Sequence, residues 1–444
     1  MTLSALLACL DADPAFEHVR ELAEAGTGAV VEAPSAVHPM VVAQIARRGA
    51  QGVPVIVVTA TGREAEDVAT AIPGLLPSAR VAVFPSWETL PHERLSPSSD
   101  TVGRRVAVMR RLAHPDPRAP MCEPIDVLVT SVRAFLQPVI IGIGDVAPVR
   151  LVAGDEVPLT ELVESLVGLG YERVDLVERR GQVAVRGGIL DVFPPTEEHP
   201  LRVEFWGDSV EEVRSFAIAD QRSLELAEHG LWAPAVRELL PTPEVRARAA
   251  ALAERSPHVA EMADKLAQGI AVEGMESLAP VLAEGMTTPL ELVRGTASVV
   301  LLEPERIRKR AHDVVRTAQE FLMASWHNAT AGNATPIDVA SASYRELEDM
   351  RDIARSRGDA WWQVTPLSSD EDLEVDEFGA GRIRINAREL DSYRGDSARA
   401  LADLKEWTTQ KSRVVLLAEG GGSVTRLVEE VAGAAIPVRE VADL

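Results

Sequence analysis

The chain has 444 residues, of which 46 % are hydrophobic and 25 % charged, as is typical of soluble globular proteins of two to four domains. No apolar run reaches the roughly 18–20 residues of a membrane span. The net charge of −23 disfavours a free-standing nucleic-acid binder, because such binding depends mainly on Lys and Arg neutralising phosphates. The two cysteines, Cys9 and Cys122, exclude a disulfide framework and indicate a cytoplasmic protein.

The first part of the chain, residues 1–147, alternates strand-like and helix-like segments. A helix is predicted over His38–Arg48. Continuous β-branched runs predict buried strands at Ala29–Pro34, Val53–Ala60, Val81–Pro85 and Ile125–Thr130. This alternation predicts an α/β domain with a parallel sheet.

The pattern changes near residue 148. Residues 148–231 have short strands, frequent glycine turns and one predicted helix, Leu159–Leu169, which indicates a small, mostly antiparallel, β-rich (α+β) domain. Residues 232–340 contain a long helical stretch, Glu244–Arg294, and then a strand, Ser298–Leu302. We predict that this strand returns to the first sheet, which makes the β-rich domain an insertion.

Residues 341–444 predict a third, small α/β domain. Its elements are a strand at Arg382–Ala387, a helix at Ser397–Trp407, and a strand from Ser412 followed by a second helix. The glycine run Gly420–Gly422 lies between the last two. It lacks the lysine of a phosphate loop, so a structural turn is favoured over a nucleotide site.

The strongest expectation for an α/β domain, a phosphate-binding loop after the first strand, is not met. Such a loop has two glycines and a lysine. The backbone amides of the loop and the ammonium group of the lysine bind the phosphate. The corresponding slot, Ala33–Met40, has neither, and Pro34 and Pro39 remove two amide donors. The sequence also has no HExxH, Cys/His cluster or GxSxG, so we predict no catalytic residue, no metal ligand and no cofactor.

Two blocks resemble a known family. They are FPSWETLPHERLSPSSDTVGRR (Phe84–Arg105) and GYERVDLVERRGQVAVRGGILDVFPPTEEHPLRVEFWGDSVEEVRSF (Gly170–Phe216). Together they resemble the amino-terminal UvrB-homology module of the bacterial transcription-repair coupling factors (Mfd), over about residues 1–330. The final unit is similar to the small domain that follows this module. UvrB is also similar, but it has a working phosphate loop and a tyrosine-rich hairpin that clamps damaged DNA. The stretch of this chain that corresponds to the hairpin has no tyrosine, and Trp87 is its only aromatic residue on which a base could stack.

The resemblance implies a non-catalytic docking module of transcription-coupled nucleotide excision repair. Its partner would be UvrA, recruited to stalled RNA polymerase. The ATP-driven motor and the polymerase- and DNA-binding parts of that family lie downstream. The family further implies autoinhibition, in which carboxy-terminal domains of the full-length chain cover the UvrA-binding surface.

By motif position, the UvrA contacts fall on Arg173, Arg186, Arg202 and Glu204. Arginine suits such a surface because its planar group binds carboxylates through two hydrogen bonds. One further position, basic in the family, is occupied by Ala184 in this chain. Arg179 or Arg180 is a candidate to supply the contact that is lost there. The alternative is that each arginine forms an ordinary surface ion pair.

Two other functions remain open on the sequence. One is a nucleotide hydrolase with an unusual loop at Ala33–Met40. The other is a DNA-binding unit that uses the basic residues of a single predicted helix, Arg104, Arg105, Arg110 and Arg111.

Overall fold

A computed structural model describes residues 3–47, 53–91, 93–331, 343–366, 381–418 and 420–441. The helices are α1 (Ser4–Leu10), α2 (Pro14–Ala25), α3 (His38–Ala46), α4 (Gly62–Leu75), α5 (Ser99–Ala113), α6 (Val132–Leu136), α7 (Leu159–Gly168), α8 (Pro243–Arg255), α9 (Ala260–Ala267), α10 (Ala279–Leu282), α11 (Pro304–Ala331), α12 (Leu347–Arg357), α13 (Ser397–Thr409) and α14 (Gly421–Gly433). The strands are β1 (Val30–Glu32), β2 (Val55–Thr59), β3 (Val81–Phe84), β4 (Val127–Ser131), β5 (Val139–Ile140), β6 (Val149–Leu151), β7 (Glu172–Arg173), β8 (Gln182–Arg186), β9 (Ile189–Val192), β10 (Leu201–Trp206), β11 (Ser209–Phe216), β12 (Ser223–Leu226), β13 (Leu231–Ala233), β14 (Met286–Thr287), β15 (Ser298–Leu302), β16 (Ala360–Thr365) and β17 (Arg382–Arg384).

The larger sheet has seven strands in the order β17–β1–β16–β15–β2–β4–β3, and all of its neighbouring pairs are parallel. Every residue of β2, β4 and β15 is buried. Alternate residues of β2 enter different apolar clusters, Ile56 one and Val57 the other, so both faces of the sheet are covered. The predicted parallel α/β sheet is therefore confirmed, and β15 returns to it beside β2 as expected.

The assignment of all residues after 340 to a separate domain is wrong. β16 lies between β15 and β1, and Trp362 within it is fully buried. β17 pairs with β1, and Arg382 and Arg384 donate hydrogen bonds to the Glu32 carboxylate at 2.7 and 2.8 Å. An apolar pattern indicates a strand but does not identify its neighbour, so the sequence could not show which sheet these strands join. The boundary itself, between residues 340 and 341, lies outside the described residues.

The carboxy-terminal unit is simpler than the predicted small α/β domain. Helices α13 and α14 share a small core of Leu404, Val431 and Ile436. Residues 412–418, predicted as a strand, form no strand, and Leu417 is 56 % exposed. The run is apolar enough for a buried strand, but no described strand lies beside it to supply hydrogen bonds.

The β-rich unit contains the second sheet, with six strands in the order β12–β11–β10–β9–β8–β7. All neighbours are antiparallel except β7 and β8. Strands β6 and β13 pair antiparallel at the base of the unit, with Leu151 opposite Leu231. The chain therefore enters and leaves the unit side by side, as an inserted domain requires.

The two sheets are fixed to each other through α5. Gly103 of α5 faces Pro195, and a Cβ atom at Gly103 would lie 2.2 Å from the Pro195 Cγ. Arg180 forms an ion pair with Asp100 at 3.3 Å, and Val183 of β8 belongs to the same apolar cluster as α5. The small sheet is therefore packed onto the larger unit through a shared core.

The helical stretch predicted over Glu244–Arg294 is interrupted. Helices α8 and α9 account for its first half, and both Gly269 and Gly274 then adopt positive φ angles of 83° and 74°. Glycine accepts this backbone conformation without steric cost, and it ends the helix. The chain continues through short helical turns to β14, which pairs with β5.

Candidate protein-docking face

One face of the six-stranded sheet is apolar, and the other carries charged residues beside a small apolar cluster. Val183, Leu190 and Val203 point into the main core. Because side chains alternate along a strand, the residues between them point the other way. We call this second face the docking face; its polar residues are Arg186, Asp191, Arg202, Glu204, Glu212 and Arg214.

A buried carboxylate, Asp191 of β9, joins two of the predicted arginines. Arg202 binds it through two hydrogen bonds, from Nε at 2.7 Å and from Nη2 at 2.9 Å. Arg186 donates a third from Nη2 at 2.7 Å. The side chain of Asp191 is 1 % exposed, compared with 13 % for Arg202 and 48 % for Arg186. Asp191 therefore orients both arginines, and Arg186 is the one more open to a partner.

The guanidinium of Arg202 makes further contacts within the protein. Its Nη1 donates to the Gln221 carbonyl at 3.0 Å, and its guanidinium lies 4.6 Å from the centre of the Phe216 ring. The hydrogen bonds to Asp191 raise the pKa of Arg202 above its usual value. Arg202 thus presents a fixed, charged edge, so that little side-chain entropy is left to lose on binding.

Glu204 lies on the same face, two residues along β10 from Arg202. It is directly opposite Glu212 of β11, whose carboxylate accepts a hydrogen bond from Arg214 at 2.7 Å. The Glu204 carboxylate makes no hydrogen bond or salt bridge within the part of the chain that the structure describes. Like charges directly opposite each other are unfavourable, so this carboxylate would gain from a cationic partner.

Arg173 does not share this face. It is in register with Val183, whose side chain lies in the main core, whereas the next residue, Val174, packs beside Ala184, which is paired with Asp191 on the docking face. Arg173 is exposed on the edge strand β7. The structure therefore brings three of the four predicted residues together on the docking face. It places the fourth, Arg173, on the edge strand and on the other face of the sheet.

Ala184 is 1 % exposed and packs with Phe193 and Phe216. Of its two candidate replacements, Arg180 donates to the Glu197 carbonyl at 2.8 Å and lies 5.0 Å from the centre of the Phe193 ring, so it is engaged within the protein. Arg179 is exposed. Of the two, Arg179 is the more accessible.

Sequence reasoning did not identify Asp191 or Trp206 as parts of this face. Asp191 lies in an otherwise apolar strand segment, Ile189–Phe193, between two strands that contain arginines. A lone acid in such a segment was the available signal, because a buried carboxylate needs a partner. Trp206 gave no such signal, because large apolar side chains are ordinarily buried, yet it is 80 % exposed.

The basic helix considered as a DNA-binding element, α5, uses its arginines internally. Arg105 is fully buried against Glu238, with Nε 2.5 Å from Oε1. Arg104 pairs with Glu66, and Arg110 and Arg111 donate to backbone carbonyls. The interpretation of Arg105 as a DNA contact is therefore wrong, and each of the other three already has a partner within the protein.

The slot at Ala33–Met40 connects the end of β1 to the start of α3, which is where a phosphate loop would lie. Its polar neighbours are engaged within the protein: Glu32, 5 % exposed at the strand end, is bound by Arg382 and Arg384, and Ser35 donates to Glu303 at 3.3 Å. The buried His38 ring donates from Nε2 to the Ala33 carbonyl at 3.0 Å. The slot also offers no lysine, and Pro34 and Pro39 supply no amide donor, which disfavours the nucleotide-hydrolase alternative.

His38 predicts a pH dependence of stability. Burial lowers its pKa below the ordinary value of 6.5, although the Ala33 carbonyl and the Glu303 carboxylate act in the opposite direction. The neutral ring is therefore favoured in the folded state, and its contribution is present above pH 6.5 and lost as the pH falls through the folded-state pKa. We expect the urea midpoint to fall more between pH 7 and pH 5 in the unmodified chain than in His38→Gln. Parallel midpoints for the two proteins would contradict this.

Two other features are absent from the described ranges. No helix there is long and apolar enough to cross a membrane. No group of three or more metal-binding side chains comes together in the same residues.

Both the β-rich unit and most of the chain as a whole match known proteins. Residues 149–236 match the UvrB interaction domain family. Over 421 residues the chain is 44 % identical to the transcription-repair-coupling factors of Mycobacterium bovis and Mycobacterium tuberculosis, a match that covers 91 % of this chain and 33 % of each relative. It is 33 % identical over 255 residues to the Myxococcus xanthus protein of the same name (54 % of this chain, 21 % of the relative). It is 36 % identical over 117 residues to the UvrABC system protein B of Natronomonas pharaonis (25 % of this chain, 16 % of the relative).

The chain spans about a third of the length of the first of these relatives. The resemblance found in the two sequence blocks is confirmed: 91 % of the chain is similar to transcription-repair-coupling factors, and residues 149–236 match the UvrB interaction domain family.

Proposed function

We propose that this chain is a non-catalytic docking module of transcription-coupled nucleotide excision repair, and that its docking face binds UvrA. The observation that carries the proposal is that the predicted binding residues lie within the segment that matches the family. The residues that match the UvrB interaction domain family include the whole six-stranded sheet, and one face of that sheet holds Arg186, Arg202 and Glu204. This ordered charged face, fixed on a rigid core, suits specific protein recognition.

The proposal extends to the setting of this interaction. In the cytoplasm, the module would recruit UvrA to stalled RNA polymerase, with the motor and the polymerase- and DNA-binding functions supplied by other parts of a longer protein. Covering of the docking face by carboxy-terminal domains would then prevent premature binding. Support for both points is the family relationship alone.

The test is isothermal calorimetry of the chain with UvrA. Arg186→Ala is expected to weaken binding about tenfold, because it removes an exposed charge–charge contact without exposing the core. Arg186→Ala combined with Arg202→Ala should weaken it further. Arg426→Ala, which removes an 82 % exposed arginine of α14, is the matched control and should bind normally.

Two results would contradict the proposal. Unchanged affinity in the double variant, with the fold verified by circular dichroism, would refute the assigned face. Measurable ATP hydrolysis by the purified chain, or tight and salt-dependent binding to duplex DNA, would support the alternatives and refute a purely docking role.

A further inference from the structure

Trp206 lies on the docking face, at the end of β10. Phe205 packs against the main core, and Glu204 lies on the outer side, so the alternation along β10 places Trp206 outward. The register shift in this hairpin skips Glu211 on the neighbouring strand, so the alternation along β10 is unbroken. Arg202, Glu204 and Trp206 therefore form one row, with about 7 Å between successive Cα atoms.

Folding does not require an indole at this position. Trp206 is 80 % exposed, whereas Trp232 and Trp362 are 3 % and 0 % exposed in the core. The turn that follows is made by Gly207 with a φ angle of 64°. An aromatic side chain that stays in solvent contributes little to folding, and a large exposed apolar group on a protein surface commonly marks a binding site.

The surroundings of Trp206 are acidic. Glu204 and Glu212 face each other across β10 and β11, and Asp208 and Glu211 are exposed in the same hairpin. Arg214 is bound to Glu212. The residues next to the indole on β10 and β11 are therefore mainly acidic, whereas Arg186 lies two strands away on β8, in the same cross-strand row as Glu204.

We propose that Trp206 and Glu204 form a receptor for a cationic side chain of the docking partner, an arginine in preference to a lysine. The inference rests on the proposed function, since its partner is the protein that binds this face. A guanidinium stacks on the indole while it pairs with the Glu204 carboxylate, which combines a cation–π contact with a charged hydrogen bond. Arg186 on β8 and this receptor on the β10–β11 hairpin then prefer partner groups of opposite charge, and this fixes the orientation of the partner.

The test compares variants of the full chain in calorimetric titrations with UvrA. Trp206→Ala is expected to weaken binding at least 30-fold, as for a tryptophan hot spot. Trp206→Leu keeps apolar area without an aromatic face and should be nearly as weak, whereas Trp206→Phe should retain part of the affinity. Glu204→Gln should weaken binding about tenfold and reduce its dependence on salt. Ile270→Ala, at a 50 % exposed apolar residue outside the sheet, is the control and should bind normally.

The outcomes separate this inference from the proposed function. Full affinity in Trp206→Leu would replace the cation with an apolar contact and overturn the receptor. Full affinity in Trp206→Ala, together with a loss in Arg186→Ala, would also overturn the receptor but leave the docking function standing. Absence of any binding by the unmodified chain would overturn both.

Discussion

Replacing Glu238 with alanine is expected to lower the free energy of unfolding by about 3–5 kcal/mol. Glu238 accepts hydrogen bonds from Arg105 Nε at 2.5 Å and from Trp87 Nε1 at 2.9 Å, and the side chains of the ion pair are at most 1 % exposed. The guanidinium of Arg105 also lies 4.3 Å from the centre of the Phe84 ring. The substitution would leave a buried positive charge without its counter-ion, which is far more costly than losing a surface contact.

Urea unfolding followed by circular dichroism measures this effect. The control is the double variant Arg105→Met with Glu238→Leu, which removes both charges and keeps much of the volume. It should be more stable than Glu238→Ala, because no charge stays buried. A loss below about 1 kcal/mol in Glu238→Ala would show that Arg105 finds another partner or reaches water.

Replacing Asp191 with alanine is expected to damage the docking face more than removing either arginine. The substitution should cost about 3 kcal/mol of stability, since it leaves the largely buried Arg202 without its acceptor. It should also weaken UvrA binding more than Arg186→Ala does, because Arg186 and Arg202 both lose the atom that orients them.

The same urea and calorimetric measurements test this prediction. Asp220→Asn is the matched control, because it alters a 51 % exposed aspartate whose partner, Arg222, is also at the surface. That control should change stability by less than about 0.5 kcal/mol. If Asp191→Ala bound UvrA normally, the arginines would not depend on Asp191 for their orientation.

The predicted strands of the first part were located correctly from their apolar runs, since burial on both faces of a parallel sheet imposes that pattern. The same pattern could not assign β16 to its neighbours, because hydrogen-bonding partners along a sheet are set by tertiary packing. For the run 412–418 the pattern predicted a strand that the structure does not contain. Local sequence thus indicated which segments suit a strand but not which of them pair.

For the docking face, too, the sequence identified some of the residues but not how they are arranged. Motif position identified Arg186, Arg202 and Glu204, which the fold does bring onto one face, although their role in binding stays a prediction. Arg173 shows the limit of motif position, since the register of a short edge strand decides the side on which it lies. The convergence of two arginines on Asp191 depends on three adjacent strands, and no spacing within the sequence encodes it.

The position of β1 in the larger sheet has a consequence for synthesis on the ribosome. Its two neighbours in the sheet are β16 and β17. Since β16 is translated roughly 330 residues after β1, the first strand waits on the order of tens of seconds for a neighbour at about 5–20 residues per second. The sheet therefore begins to assemble from its middle, where β2 meets β4, and its first-made strand is among the last to be incorporated.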